Sequence, residues 1–157
     1  FANIGNTSVE VFDLHEVLGS LKELYRHNYN VSLDWKPVSA RVMVEADKTQ
    51  MNRLFTNLLA NAVEACNGTE VCRIEVSEEI SENGTIIISI KDNGEGIPAE
   101  VQERIFVPNF TTKSSGTGLG LAMCKGIVEQ SKGNIWFETE QGKGTTFYVQ
   151  LPVNKLM

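Results

Sequence analysis

The run Thr85-Ile86-Ile87-Ile88-Ser89-Ile90 is β-branched and apolar, and two residues later it gives way to Asp92-Asn93-Gly94-Glu95-Gly96-Ile97. Such a run reads as a buried strand, so Asp92 falls where an interior strand opens into a glycine-rich loop. A carboxylate there can accept a hydrogen bond from an exocyclic amine. Gly94 and Gly96 lack a Cβ, which lets the backbone take positive φ and approach a flat ring or a phosphate. Asp-Asn-Gly is also ordinary turn chemistry, and this segment alone leaves both readings open.

A second glycine cluster, Gly116-Thr117-Gly118-Leu119-Gly120-Leu121, leads into Leu121, Cys124, Ile127 and Val128 at helical spacing. Gly118 and Gly120 thus fall at a helix N-terminus, where unpaired amides and the helix dipole favour phosphate. The spacing is not that of the dinucleotide fingerprint, and no Gly-Lys-Ser/Thr follows as in a P-loop. Upstream, Met51, Leu54, Phe55, Leu58, Leu59, Ala62 and Cys66 form an apolar helical stripe. Asn57 and Asn61, four apart on that helix, share one face. Asparagine is an indifferent helix former, so the pair is either two solvated amides or a place where an amide oxygen meets a hard cation such as Mg²⁺.

These motifs resemble the ATP-binding catalytic domain of two-component sensor histidine kinases, within the superfamily shared with gyrase, heat-shock chaperone ATPases and mismatch-repair ATPases. Asn57-Leu58-Leu59-Ala60-Asn61-Ala62 resembles the N box, and Asp92 to Ile97 the first glycine box. Ile105 to Lys113 resembles the F box, and Gly116 to Leu121 the second glycine box. The four boxes appear in the family's order. The resemblance implies an ATP and Mg²⁺ site, with Asn61 as the magnesium ligand and Asn57 as a phosphate or metal-shell contact. It makes Asp92 the adenine anchor, with Gly94, Gly96 and Ile97 flanking the base. Thr117, Gly118, Leu119 and Gly120 would wrap the triphosphate, and Phe106 would anchor one end of a lid. Lys113 would serve as the cation on the terminal phosphates, the alternative being a solvated loop lysine.

The F box departs from the family's usual Phe-Glu-Pro-Phe-Phe, reading Phe106-Val107-Pro108-Asn109-Phe110. Hydrolysing relatives carry a glutamate base four residues before the metal-binding Asn, where this chain has Asn57. An amide cannot take a proton from water, so transfer to an imidazole is favoured over hydrolysis, and phosphate release by the isolated domain is expected to be very slow. The implied activity is donation of the γ-phosphate of Mg-ATP to a histidine on a dimerisation domain outside this chain, with a response regulator downstream. The alternative is a degenerate nucleotide-binding regulatory module. His15 and His27 are expected as surface residues rather than acceptors, because Val17-Leu18-Gly19-Ser20 lacks the acceptor-box pattern.

The chain has 157 residues, 41% hydrophobic and 22% charged, which suits one catalytic domain over residues 1–157 with its ATP-binding motifs in 47–121. A net charge of −6 argues against general nucleic-acid binding. Three cysteines without metal-ligand spacing read as buried, reduced thiols of a cytoplasmic domain. No apolar run is long enough to span a bilayer, and the first residue, Phe1, suggests a piece excised from a longer sensor. The isolated domain is expected to be monomeric.

The expected fold class is α+β, a two-layer α/β sandwich in which helices cover one face of a mixed, mostly antiparallel sheet, with a mobile ATP lid. Strands are expected at Val9–Phe12, Val31–Trp35, Arg41–Glu45, Cys72–Ile80, Gly84–Lys91, Asn134–Glu138 and Thr145–Leu151. The second and third are expected to pair across Pro37. Asp13 is expected to cap a first helix whose apolar spacing is carried by Val17, Leu18, Leu21, Leu24 and Tyr25, and Asp47 to cap the second.

Overall fold

The computed structural model describes residues 8–66, 71–108 and 120–154. Among these residues three helices lie on one face of a five-stranded sheet, beside a two-stranded ribbon. In chain order the elements are β1 (Val9–Asp13), α1 (Leu14–Tyr25), β2 (Val31–Lys36), β3 (Met43–Asp47), α2 (Lys48–Ala65), β4 (Cys72–Ile80) and β5 (Thr85–Asp92). A 3₁₀ turn (Ala99–Arg104), α3 (Gly120–Gln130), β6 (Asn134–Glu140) and β7 (Gly144–Pro152) follow.

The sheet runs β2-β4-β5-β7-β6, antiparallel except for the parallel pair β2–β4. Ile86, Ile88 and Ile90 alternate inward from β5, and Ile74, Val76, Phe147, Val149 and Leu151 bury the same face on its neighbours. Against that face α2 presses Met51, Leu54, Phe55, Leu58, Leu59 and Ala62, all nearly without solvent contact. Each such aliphatic side chain contributes about 1.5–3 kcal/mol by leaving water. The helix starts where the sequence says it should: Asp47 Oδ1 accepts the Gln50 N–H at 3.1 Å. Asp13 caps α1, accepting the His15 N–H at 3.0 Å and the Val42 N–H at 2.9 Å.

Four expectations need correction. The strands around Pro37 do not pair with each other; β3 pairs antiparallel with β1, and β2 pairs in parallel with β4. The cause is a buried carboxylate beneath the connection. Glu78 on β4 accepts from Trp35 Nε1 at 2.8 Å and from the Val38 N–H at 3.1 Å, which turns the chain away from β2 before β3 begins. His15 is not a surface residue: it is buried, with Nε2 donating to Glu78 Oε1 at 2.9 Å and its ring edge-on to Trp35. Leu24, which continues the apolar spacing of α1, is exposed. Cys66 and Cys72 are not free thiols but a disulfide, with Cα atoms 5.4 Å apart. Cys124 is free and buried, and burial pushes its thiol up to about 12, so it stays protonated and unreactive at neutral pH.

Glu78 serves three donors at once, so removing it should cost far more than losing a surface pair. Glu78→Ala is expected to destabilise by about 3–5 kcal/mol, because His15, Trp35 and the Val38 amide all lose a buried partner. Glu23→Ala breaks only the exposed Arg26–Glu23 pair and should cost under about 1 kcal/mol. Urea unfolding of the two variants, read as midpoint shifts at constant slope, checks the contrast.

Candidate nucleotide site

Asp92 is the last residue of β5 and only 4% exposed. Its Oδ1 accepts the Gly94 N–H at 2.8 Å and the Thr145 N–H at 3.2 Å. Two backbone donors thus converge on one carboxylate oxygen. The same contacts join the end of β5 to the following loop and to β7.

The loop after Asp92 is held from both sides. Ala65, at the end of α2, accepts the Glu95 N–H at 2.9 Å, and Glu95 O accepts the Gly142 N–H at 2.7 Å from the β6–β7 turn. Ile97 N–H donates to Thr139 Oγ1 at 2.9 Å. The glycines are required by contact here. A Cβ on Gly94 would stand 2.3 Å from Ala65 O, and one on Gly96, where φ is +80°, would stand 2.5 Å from Glu140 O.

Above the carboxylate is a cavity of about 90 Å³ lined by Asn61, Ala65, Asp92, Ile97 and Pro98, with Val101, Ile105, Leu121, Thr145 and Phe147 completing it. Among the described residues this space suits one flat ring rather than a whole nucleotide, since sites for complete small ligands run to about 300–1,000 Å³. Its walls are apolar, and Asp92, Asn61 and Thr145 are the polar groups. A roomier surface groove of about 250 Å³ lies between the β1–β3 ribbon and the end of α3, with neither a glycine loop nor a buried carboxylate in its lining.

Asn57 and Asn61 share a face of α2, as their spacing requires. Asn57 Nδ2 donates to Arg53 O at 2.8 Å, which directs Oδ1 toward the start of α3; a Cβ on Gly120 would lie 3.4 Å from it. Asn61 is half-buried at the cavity edge. Amide oxygens are suitable donors for a hard cation. Among the described residues no three His, Cys, Asp or Glu side chains converge on a metal position.

The structure therefore brings Asn57, Asn61, Asp92, Gly94, Gly96, Ile97 and Gly120 to one end of the sheet. Phe106 sits behind the cavity, its ring packed on Phe137 and Phe147 at 6.1 and 6.4 Å and covered by Lys125 Nζ at 5.9 Å. It supports the wall formed by Phe147 rather than lining the space itself. Lys113, Thr117, Gly118 and Leu119 lie outside the described residues, as does Asn109. Ala65, Thr145 and Phe147 line the cavity without having been singled out in the sequence. For Ala65 the signal was available, since it lies four residues after Asn61 on the same helical face.

The sequence profile of the family described as histidine kinase-, DNA gyrase B- and HSP90-like ATPase matches residues 46–155. The sensor histidine kinase ZraS of Escherichia coli strain K12 is 34% identical over 150 residues, covering 94% of this chain and 32% of its own length. The chain thus spans about a third of that relative. Among solved structures, the nucleotide-free catalytic domain of histidine kinase ThkA has a TM-score of 0.82 at 32% identity, covering 93% of this chain and 96% of the other. ThkA in complex with the response regulator protein TrrA has a TM-score of 0.76 at 29% identity, covering 93% of this chain and 42% of that one.

Gly96 and Gly142 both have φ above +80° or close to it, but only Gly96 faces backbone; nothing lies within 4 Å of a Cβ on Gly142. Gly142→Ala should cost about 1–2 kcal/mol from the dihedral alone. Gly96→Ala should cost visibly more and displace the loop. Thermal melts of both variants test this; equal losses would mean that the Glu140 contact is not tight.

Proposed function

The chain belongs to the histidine kinase-, DNA gyrase B- and HSP90-like ATPase family, and on that premise we propose that it binds Mg-ATP and donates the γ-phosphate to a histidine on a dimerisation domain outside these residues. The observation that carries the proposal is the buried Asp92 carboxylate in the lining of a small, mostly apolar cavity that Asn61 also lines. Adenine has the apolar faces and the exocyclic amine that such a space would select.

The division of labour follows from the chemistry. Asp92 accepts from the base amine, and the Gly94–Ile97 loop shapes the wall against which the ring lies. Asn61 offers its amide oxygen to magnesium, with Asn57 one turn away toward the phosphates. Bound magnesium would neutralise phosphate charge. Lys113 would add a cation, and Thr117, Gly118, Leu119 and Gly120 backbone donors near the N-terminus of α3. Phosphoryl transfer asks the protein mainly for alignment and charge neutralisation, so Asn57, an amide that cannot take a proton from water, suits transfer to a nucleophilic imidazole.

As partners we propose the dimerisation helices of the parent protein and, downstream, a receiver domain. The ThkA–TrrA complex supports the second, because a structurally similar catalytic domain occurs there with a response regulator. Among the described residues no helix is long and apolar enough to cross a membrane. A domain that consumes ATP belongs on the cytoplasmic side of any sensor that carries it.

Incubating the chain with the parent's dimerisation helices, γ-labelled ATP and magnesium should place label on a histidine, stable in base and lost in acid. Chelating magnesium should abolish it. ATP binding without any label would instead support a nucleotide-binding regulatory module.

A further inference from the structure

The Cys66–Cys72 bridge joins the residue that caps α2 to the first residue of β4, six positions on in the chain. The residues flanking its two sulfurs are the ones that hold the first glycine loop. Ala65, before Cys66, accepts the Glu95 N–H at 2.9 Å and packs so tightly on Gly94 that no Cβ fits there. Val71, before Cys72, accepts from Asn93 Nδ2 at 3.2 Å, and the Arg73 N–H, after Cys72, donates to Asn93 Oδ1 at 2.8 Å. Three consecutive loop residues, Asn93, Gly94 and Glu95, are thus clamped by the immediate neighbours of the bridge. Asp92 stands directly before them.

The pocket around the sulfurs also suits the dithiol. Asn93 Oδ1 lies 3.4 Å from Cys66 Sγ and Ala62 O lies 3.7 Å from Cys72 Sγ, so each thiol would find an acceptor without moving away. A Cys66 thiol would share Asn93 Oδ1 with the Arg73 amide, since a carbonyl oxygen accepts two donors. Reduction therefore releases the covalent staple and leaves the loop held by hydrogen bonds alone. Cys124 stands apart, buried and protonated against Leu54 O, leaving Cys66 and Cys72 as the pair able to respond.

We propose that Cys66 and Cys72 form a reversible dithiol–disulfide site whose oxidation tightens the Asn93–Glu95 loop and, with it, the nucleotide site. The affinity half of this inference rests on the ATP reading above. For oxidation, one thiolate sulfur attacks an oxygen of hydrogen peroxide and the O–O bond breaks, giving a sulfenic acid and, with one proton, water. The second thiol then displaces hydroxide from that sulfur, forming the S–S bond, and the hydroxide leaves with the thiol proton as a second water. In the reverse direction a dithiol reductant attacks one sulfur, is itself oxidised to a disulfide, and leaves both cysteines as thiols.

The test compares the whole chain after dithiothreitol with the same protein after removal of reductant and treatment with hydrogen peroxide. The oxidised form, confirmed by a mass lower by two hydrogen atoms, should bind ATP about fivefold more tightly and exchange the Glu95 and Arg73 amide hydrogens more slowly. By reciprocity, ATP should lower the reduction potential of the pair by about 20 mV, the two-electron equivalent of fivefold. Cys66→Ser/Cys72→Ser, checked for fold by circular dichroism, should show neither dependence. Identical exchange and affinity in both redox states would overturn the inference. ATP binding in neither state, with exchange still redox-dependent, would remove the nucleotide reading while leaving control of the loop by the bridge supported.

Discussion

One buried carboxylate organises the functional end of this molecule. Asp92 ends the central strand β5 and, through one oxygen, holds the amides of Gly94 and Thr145. Those bonds fix the loop to β5 and β5 to the start of β7. The surrounding constraints follow from that placement: Gly94 must lack a side chain to lie on Ala65, and Gly96 must lack one to pass Glu140. Burying a polar side chain at this depth is costly unless its hydrogen-bond partners are in place, as they are here. Two backbone donors on one oxygen also hold the carboxylate group in a fixed orientation.

Helix α2 couples this end to the core. One face buries Met51, Leu54, Phe55 and Leu58, and the adjoining edge presents Asn57, Asn61 and Ala65. The same rigid element that closes the hydrophobic layer therefore sets the distance between the polar groups and Asp92. Asn57 spends its amide N–H on Arg53 O, which keeps its oxygen side toward α3. The cost of two asparagines in a helix interior is thereby partly offset by a local hydrogen bond, and the stripe of apolar neighbours supplies the rest.

Much of this was readable from residue order. Alternating Ile in β5, the capping aspartates 13 and 47 and the apolar stripe of α2 are local signals, and each element formed with the expected type. What escaped was non-local. The parallel pairing of β2 with β4 depends on residues more than forty positions apart, Trp35 and Glu78, bonded inside the fold. Inward alternation of Ile74, Val76 and Glu78 did point the carboxylate at the core, but nothing in the local pattern named its partners. The Cys66–Cys72 bridge and the Thr145 amide on Asp92 are likewise juxtapositions made by the end of one element meeting the start of another.

The claim that Asp92 selects an adenine amine is tested most directly by equilibrium ATP binding to the wild-type chain and to Asp92→Asn, with the fold of both checked by circular dichroism. Asn keeps a carbonyl oxygen for the two backbone amides but turns the other acceptor into a donor, which opposes an amine. Intact folds and a loss of about 10- to 100-fold in affinity are the predicted result. A folded Asp92→Asn that binds ATP as tightly as the wild type would contradict the account, placing the base elsewhere or leaving Asp92 a purely structural carboxylate.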